Sequence, residues 1–186
     1  MIVNSRIDSG NRGRGVLSGG GYPSHGNTGP IIEFIQISTL GNSTNFGTNT
    51  VGILAAGNSD SSRGTFSGGF DPFRDVIEYI TMASEGNTID FGDLTTTNSD
   101  STSSSNCIRA IRYGKWPTDG TIDFVTIATT GDAIDFGDLL SRRTRFVGST
   151  SSSTRGLFAG GNSPSTDNVI QFVEFATTGD AADFGD

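Results

Sequence analysis

The stretch Ile134-Asp135-Phe136-Gly137-Asp138 decides the fold, because close copies of it recur along the whole chain. Asp90-Phe91-Gly92-Asp93 and Asp183-Phe184-Gly185-Asp186 repeat its last four residues, and Asn45-Phe46-Gly47-Thr48 is a looser copy. The four phenylalanines are separated by 45, 45 and 48 residues. Self-similarity at a nearly fixed spacing of this size is the sequence signature of a repeat architecture.

Each repeat contains four segments that read as strands. A short first segment and a polar turn precede a second segment that begins with arginine, as in Arg63-Gly64-Thr65-Phe66-Ser67. The third segment is dense in β-branched and aromatic residues, as in Val76-Ile77-Glu78-Tyr79-Ile80, and the Asp-Phe-Gly-Asp segment follows. Such residues are enriched in strands, and the Gly, Ser, Asn and Asp clusters between them indicate turns. We therefore predict an all-β protein of four-stranded antiparallel sheets.

Four such sheets in sequence favour a β-propeller, in which each sheet buries both faces against its neighbours. The repeat length matches that of known propeller blades. We predict a single domain, residues 1–186, with blades at about 1–49, 50–94, 95–139 and 140–186. Three arrangements stay open at this point: the four blades close a ring alone, a second copy completes the ring, or the blades belong to a longer chain.

Composition and charge exclude several classes of function. The chain has 20 acidic and 12 basic residues, a net charge of −8, which argues against nucleic acid and anionic membrane surfaces as partners. Hydrophobic residues make up 33% of it, and no apolar run approaches the length of a membrane span. We expect neither nucleic-acid binding nor membrane insertion.

Catalytic residues are scarce. His25 is the single histidine, so one chain cannot assemble a histidine-based triad or a multi-histidine metal site. The Asp-Phe-Gly sequence also occurs in protein kinases, but the glycine-rich phosphate loop and the His-Arg-Asp segment of kinases are missing. Carboxylate-pair hydrolysis stays open because aspartates are numerous. We predict a non-catalytic protein without a cofactor.

The repeated aspartates are compatible with two roles, binding of a metal ion and stabilisation of the fold. Asp132, Asp135 and Asp138 supply oxygens, but a spacing of three along an extended segment alternates sides instead of converging on a cation. An aspartate just after a turn glycine can instead accept from backbone N–H groups, and the others can receive arginine. We predict no metal site, and we hypothesise that Arg63, Arg109 and Arg155 bind carboxylates or carbonyls where blades meet. The predicted structural residues are Arg14, Arg63, Arg109, Arg155, Asp90, Asp93, Asp135, Asp138, Asp183 and Asp186.

Binding residues are expected where the repeats differ from one another. Aromatic residues and a histidine occur beside prolines in the loops that follow the second segment of three repeats. Exposed aromatics on a rigid ring are suited to sugar or protein contacts. The candidate loop contacts are Tyr22, His25, Phe73, Tyr113 and Trp116.

The repeats resemble kelch-type propeller blades. The resemblance rests on the arginines that open the second segments, on the glycine pairs Gly19-Gly20, Gly68-Gly69 and Gly160-Gly161, and on the third-segment aromatics. The tryptophan of the kelch outer strand is missing, and the phenylalanine of Asp-Phe-Gly-Asp stands near its place. The third repeat also departs from the pattern, since Arg109-Ala110-Ile111-Arg112-Tyr113 lacks the glycine pair.

The sequence of the fourth repeat resembles repeats found in virion proteins of tailed bacteriophages, especially those of cyanobacteria and marine bacteria. The residues that carry this resemblance are Ser153-Thr154-Arg155-Gly156-Leu157-Phe158-Ala159-Gly160-Gly161. This resemblance implies a virion structural protein of the tail, fibre or capsid surface. Its propeller would contact other virion proteins or a host-surface receptor or glycan, and would form homo-oligomers in some settings. The alternative is a glycan-binding or glycan-hydrolysing protein that uses one face of the propeller.

Overall fold

The structure, a computed structural model, describes residues 2–4, 13–18, 31–51, 55–70, 72–99, 101–113, 120–140, 147–162, 165–166 and 168–186. These residues form sixteen β-strands and no helix. The strands make four antiparallel sheets of four, and each sheet is a simple meander whose strands pair in chain order. The arrangement is propeller-like and confirms the predicted all-β fold with four strands in each repeat.

The strands are short, as expected for segments bounded by Gly, Ser and Asn turns. Sheets 1 and 2 contain β1 (Ile2–Asn4), β2 (Arg14–Ser18), β3 (Ile31–Gln36), β4 (Thr44–Thr48), β5 (Ala56–Ser59), β6 (Arg63–Ser67), β7 (Arg74–Thr81) and β8 (Ile89–Asn98). Sheets 3 and 4 contain β9 (Thr102–Ser105), β10 (Arg109–Tyr113), β11 (Thr121–Thr126), β12 (Ile134–Asp138), β13 (Gly148–Ser151), β14 (Arg155–Ala159), β15 (Ile170–Glu174) and β16 (Ala182–Gly185).

One sheet boundary differs from the predicted segments. The strand β8 runs past residue 94 and pairs Asn98 with Arg74 of β7, with an irregular register between Arg74 and Val76. The predicted boundary between residues 94 and 95 therefore lies inside a strand.

A β-bulge recurs at the same place in all four sheets. In sheet 3, Ile122 pairs with Gly137 and the next residue, Asp123, pairs with Asp135, so Phe136 has no partner across the ladder. A bulge bends its strand and re-aims the side chain of the extra residue. The corresponding phenylalanines of the other sheets are skipped in the same way; these are Phe46, Phe91 and Phe184.

Among the described residues, the buried hydrophobic side chains form three clusters, and each joins two neighbouring sheets. Phe46 and Val16 of sheet 1 cluster with Ile80 and Met82 of sheet 2. The cluster between sheets 2 and 3 contains Ile77, Phe91, Leu94, Ala110, Val125 and Ile127. The cluster between sheets 3 and 4 contains Ile111, Tyr113, Ile122, Phe136, Leu139, Phe158, Val173, Phe175 and Ala181. Burial between sheets, and not within one sheet, is thus the main hydrophobic source of stability.

Candidate functional site

The contact between successive sheets begins with backbone hydrogen bonds. The outer strand of one sheet accepts from the loop that follows the third strand of the next sheet. Between sheets 2 and 3, Gly131 N donates to Phe91 O at 2.7 Å and Ala133 N donates to Asp93 O at 2.7 Å. The corresponding bonds elsewhere are Gly86 N to Phe46 O, Thr88 N to Thr48 O, Gly179 N to Phe136 O and Ala181 N to Asp138 O.

The glycine of Asp-Phe-Gly-Asp is required for this approach. A Cβ built on Gly92 would lie 2.4 Å from Gly131 O, and a Cβ on Gly137 would lie 2.4 Å from Gly179 O. Both glycines also have positive φ, 148° and 145°, which L side chains rarely adopt. A glycine at this place therefore admits the backbone of the next sheet.

Side-chain carboxylates and amides complete the backbone pairing. Asp132 Oδ1 accepts from Asp93 N at 3.0 Å, and Asp180 Oδ1 accepts from Asp138 N at 2.9 Å. Asn87 takes the same role between sheets 1 and 2. The prediction that the residue after the turn glycine bonds backbone N–H groups is confirmed, and its partner lies on the preceding sheet.

The arginines that open the second strands reach across to the next sheet. Arg63 Nη1 donates to Ala128 O at 2.9 Å and to Ile127 O at 3.2 Å, and Arg109 Nη1 donates to Phe175 O at 2.7 Å. Arg14 donates to Met82 O at 3.1 Å in the same way. The hypothesis that these arginines bind acceptors where sheets meet is confirmed for Arg63 and Arg109.

Each of these guanidinium groups also stacks on an aromatic ring of its own sheet. Arg109 lies 4.9 Å from the centroid of the Phe124 ring, and the Phe124 ring meets Phe136 edge-on at 5.7 Å. Cation–π and edge-to-face contacts of this kind orient the participating groups. The arginine, the third-strand aromatic and the bulge phenylalanine thus form one column in every sheet; the other columns are Arg14–Phe34–Phe46, Arg63–Tyr79–Phe91 and Arg155–Phe172–Phe184.

The aspartates of the repeated motif do not receive these arginines, contrary to the sequence-based hypothesis. Asp90, Asp93, Asp135, Asp138, Asp183 and Asp186 are exposed. Asp135 Oδ1 accepts from Gly137 N of its own motif at 3.0 Å, which stabilises the bulge. The arginines instead donate to carbonyls just after the third strand of the next sheet, whereas the motif aspartates lie exposed on the fourth strands or directly after them. Among the described residues, no three His, Cys, Asp or Glu side chains are placed together to hold a metal ion.

Serine hydroxyls join the first strands of neighbouring sheets, a role that the sequence did not predict. Ser149 Oγ donates to Ser103 O at 2.7 Å and Ser151 Oγ donates to Ser105 O at 2.8 Å. Ser103 Oγ in turn donates to Gly57 O at 2.7 Å. The sequence feature that could have predicted these bonds is serine at alternate positions in Ser101–Ser105 and Ser149–Ser153. By composition alone, such serine-rich segments indicate turns.

A buried ion pair distinguishes the contact between sheets 2 and 3. Arg112 and Asp123 are cross-strand partners, and Arg112 Nη1 lies 3.7 Å from Asp123 Oδ2. Thr95 Oγ1 donates to Asp123 Oδ1 at 2.5 Å. Burial lowers the pKa of Arg112 to about 9, opposed by the charge of Asp123. Burial also raises the pKa of Asp123, opposed by its hydrogen bond from Thr95 and by Arg112.

The ion pair lines a small cavity between the two sheets. The cavity volume is about 10 Å³, the space that one water molecule needs, and its other walls include Asn58, Thr65 and Ala133. Arg112 Nε and Nη2 are buried there and have no hydrogen-bond partner among the residues that the structure describes. The corresponding residues of sheets 2 and 4 are the phenylalanines Phe66 and Phe158. The site is too small for an organic ligand, and its geometry fits a structural water.

Two of the predicted loop contacts can be placed. Phe73 follows Pro72 in the turn before β7, where its exposed ring meets Phe70 edge-on at 5.2 Å. The prediction that Tyr113 is a loop contact is wrong. Tyr113 lies inside β10 and is 1% exposed, and its ring packs on Phe158 of sheet 4 at a centroid distance of 5.1 Å. The second strand of sheet 3 continues through this position, so its ring is core and not a surface contact. The other three candidates, Tyr22, His25 and Trp116, lie outside the described residues.

The two end sheets expose the groups that their neighbours bury. Phe184 of sheet 4 is 52% exposed, whereas Phe136 of sheet 3 is 2% exposed. Ile37 of sheet 1 is 46% exposed, whereas the corresponding Ile127 is fully buried. Arg155 Nε lies 2.5 Å from Glu174 Oε1 of its own sheet and, within the part of the chain that the structure describes, does not bind a carbonyl of a neighbouring sheet. The hypothesis that Arg155 binds an acceptor where two sheets meet is therefore wrong.

In the described part of the chain, no helix is long and apolar enough to cross a membrane. A scan against known protein families finds no match for this chain, and a search of curated proteins finds none either.

Proposed function

We propose that this protein is a non-catalytic structural module, a kelch-like β-propeller that serves assembly or host-receptor contact in a phage virion. One observation carries the assembly part of the proposal. The groups that join one sheet to the next recur on the two end sheets, where they are exposed. A surface that repeats a working protein contact is suited to binding another protein sheet.

The repeated residues support a structural role over catalysis. The arginines bind carbonyls of the next sheet, the glycines admit its backbone and the phenylalanines fill the core between sheets. Residues engaged in this way in the first three repeats hold the scaffold together and are not free for chemistry on a substrate. The virion setting rests on the resemblance of the repeats to those of tailed-phage virion proteins.

An alternative function, binding of host-surface glycan, is favoured by one observation. Phe70 and Phe73 form an edge-to-face pair at the turn before β7, and the Phe73 ring is exposed beside Pro72. An exposed aromatic held by a second ring is suited to stacking on a sugar. A glycan array probed with the protein and with Phe73→Ala tests this; binding that the substitution abolishes would favour the alternative.

The proposed function is tested by quantitative mass spectrometry of virions purified from a culture that carries this gene. The chain should appear in a fixed copy number relative to the major capsid protein and should remain after nuclease and salt washing. Recovery of the chain in the particle-free lysate alone would contradict the virion role. Release of sugars from host polysaccharide by the purified protein would contradict the non-catalytic role.

A further inference from the structure

The exposed face of sheet 1 carries the receiving half of a sheet-to-sheet contact. Ile35 and Ile37 are exposed there, although their counterparts in the other three sheets are buried; these are Ile80, Val125 and Val173, and Met82, Ile127 and Phe175. Gly41, which corresponds to Gly86, Gly131 and Gly179, has the positive φ of Gly131 and Gly179. Sheet 1 is therefore shaped for a preceding sheet.

The exposed face of sheet 4 carries the other half. Phe184 is the extra residue of the same bulge that buries Phe46, Phe91 and Phe136. Gly185 keeps the backbone of Gly92 and Gly137, with φ 147°, but nothing lies within 4 Å of a Cβ built on it. Leu157 is half-buried, whereas Val16 and Ile111 at the same place are fully buried. Sheet 4 is thus shaped for a following sheet.

We propose that both faces are covered by a second copy of this chain, with sheet 4 of each copy docked on sheet 1 of the other. The inference deepens the proposed function, on which it rests, by naming a partner. The two faces are complementary and not self-complementary, since one offers phenylalanine, carbonyls and an arginine and the other offers isoleucines and backbone donors. The pairing is therefore head to tail.

The internal contacts specify the bonds that this docking would form. Gly41 N would donate to Phe184 O, and Ser43 N would donate to Asp186 O, as Gly131 and Ala133 do for Phe91 and Asp93. Asn42 would accept from Asp186 N, as Asn87 does from Thr48 N. Arg155 would leave Glu174 and donate to Ile37 O, as Arg109 donates to Phe175 O. Each bond repeats one that the chain already makes.

Ring size argues for two copies. A head-to-tail contact generates a closed ring when the rotation between units closes and an open filament when it does not. Propellers contain about four to eight blades. Two copies of four sheets reach the upper end of that range and leave no face uncovered, whereas three copies exceed it.

The experiment measures the mass of the purified full chain by analytical ultracentrifugation over a wide concentration range. The expected species is a dimer with twice the 19.4 kDa chain mass. A chain that stays monomeric at every concentration would overturn the inference, and so would a trimer, a larger ring or a filament.

Charged substitutions on each face identify the surface. Ile37→Asp on sheet 1 and Phe184→Asp on sheet 4 should each yield a folded monomer, because both side chains are exposed within the chain itself. The matched control is Ile89→Asp, an equally exposed isoleucine on the outer strand of sheet 2, which should remain dimeric. Circular dichroism checks that all three variants fold.

Mixing the two monomeric variants separates head-to-tail pairing from face-to-face pairing. Ile37→Asp retains the sheet 4 face and Phe184→Asp retains the sheet 1 face, so native mass spectrometry of the mixture should show a heterodimer held by one contact. A dimer that only one of the two substitutions disrupts, or a mixture without heterodimer, would overturn the pairing. Absence of the chain from virions would refute the proposed function while leaving this dimer measurable, so the two failures are distinguishable.

Discussion

The motif Asp-Phe-Gly-Asp occurs in identical form at residues 135–138 and 183–186, and its two copies have opposite surroundings. Both copies form the same bulge with the same glycine conformation. In sheet 3 the phenylalanine is buried and the glycine is covered by Gly179, whereas in sheet 4 both are uncovered. The motif therefore sets a local backbone shape, and the neighbouring sheet decides whether that shape is core or surface.

The largest effect should separate the two phenylalanines. Phe136→Ala should lower the free energy of unfolding by about 4 kcal/mol, because it leaves a cavity between sheets 3 and 4. Phe184→Ala should cost less than about 1 kcal/mol in dilute protein, because its ring is half-exposed. Urea denaturation of both variants measures the difference, and equal losses would show that the bulge itself, and not the neighbouring sheet, sets the cost.

The buried ion pair of Arg112 and Asp123 joins sheets 2 and 3 by charge and not by aromatic packing. Arg112→Leu should cost about 3 kcal/mol, because it leaves Asp123 buried without its counter-charge. The double variant Arg112→Leu with Asp123→Asn should regain most of that loss, since sheet 4 carries the uncharged pair Phe158 and Gln171 at the same positions. A double variant as unstable as the single one would contradict this account.

The pH dependence of the Arg112→Leu variant has a defined sign. Burial raises the pKa of Asp123 above its usual 3.8, so the folded protein takes up this proton at a higher pH than the unfolded chain does. Stability from this group therefore increases as the pH falls through the interval between the two pKa values. The loss measured for Arg112→Leu should be smaller in mildly acidic buffer than at neutral pH, and a larger loss in acid would contradict the prediction.

The two motif glycines should differ by a smaller amount. Gly137→Ala should cost about 2 to 3 kcal/mol, because its Cβ meets the Gly179 carbonyl and φ is positive. Gly185→Ala has the same φ and open space, so it should cost about 1 kcal/mol. Thermal unfolding of dilute protein compares them, and an equal cost would attribute the glycine requirement to backbone conformation alone.

The smallest effect concerns the arginines. Arg109→Ala should lower stability by about 1.5 kcal/mol through loss of its bond to Phe175 O and exposure of the Phe124 ring. Arg155→Ala should change stability by less than about 0.5 kcal/mol, since it removes a solvent-exposed pair with Glu174. Urea denaturation at two salt concentrations provides the measurement; salt should weaken only the contribution of Arg155.

The repeat spacing was sufficient to predict four sheets and to place arginine at their contacts. It could not show that Phe136 is the extra residue of a bulge. The bulge depends on how β12 pairs with β11, and this pairing does not change the spacing between repeats. The exposed loop position expected for Tyr113 was wrong because it rested on the neighbouring Trp116 and Pro117, whereas the strand extends through Tyr113 and packs its ring on Phe158 of the next sheet.

The ion pair and the serine bonds were also out of reach of the sequence. Arg112 occupies a place that is apolar in the other sheets, and only the strand register brings Asp123 opposite it. Ser149 and Ser103 are far apart in the chain, and each segment by itself has the composition of a turn. These contacts depend on how sheets lie against one another, which a repeat pattern leaves unspecified.

The direction of the sheet-to-sheet contact bears on how such a gene can grow. Each of the first three sheets gives carbonyls, a bulge phenylalanine and an arginine to the sheet that follows, and each of the last three receives this set from the sheet before it. A tandem duplication of one unit of about 45 residues therefore arrives with both halves of its interface already matched to its neighbours. Lengthening by whole units needs no new recognition surface, whereas an insertion of half a unit would leave strands without partners.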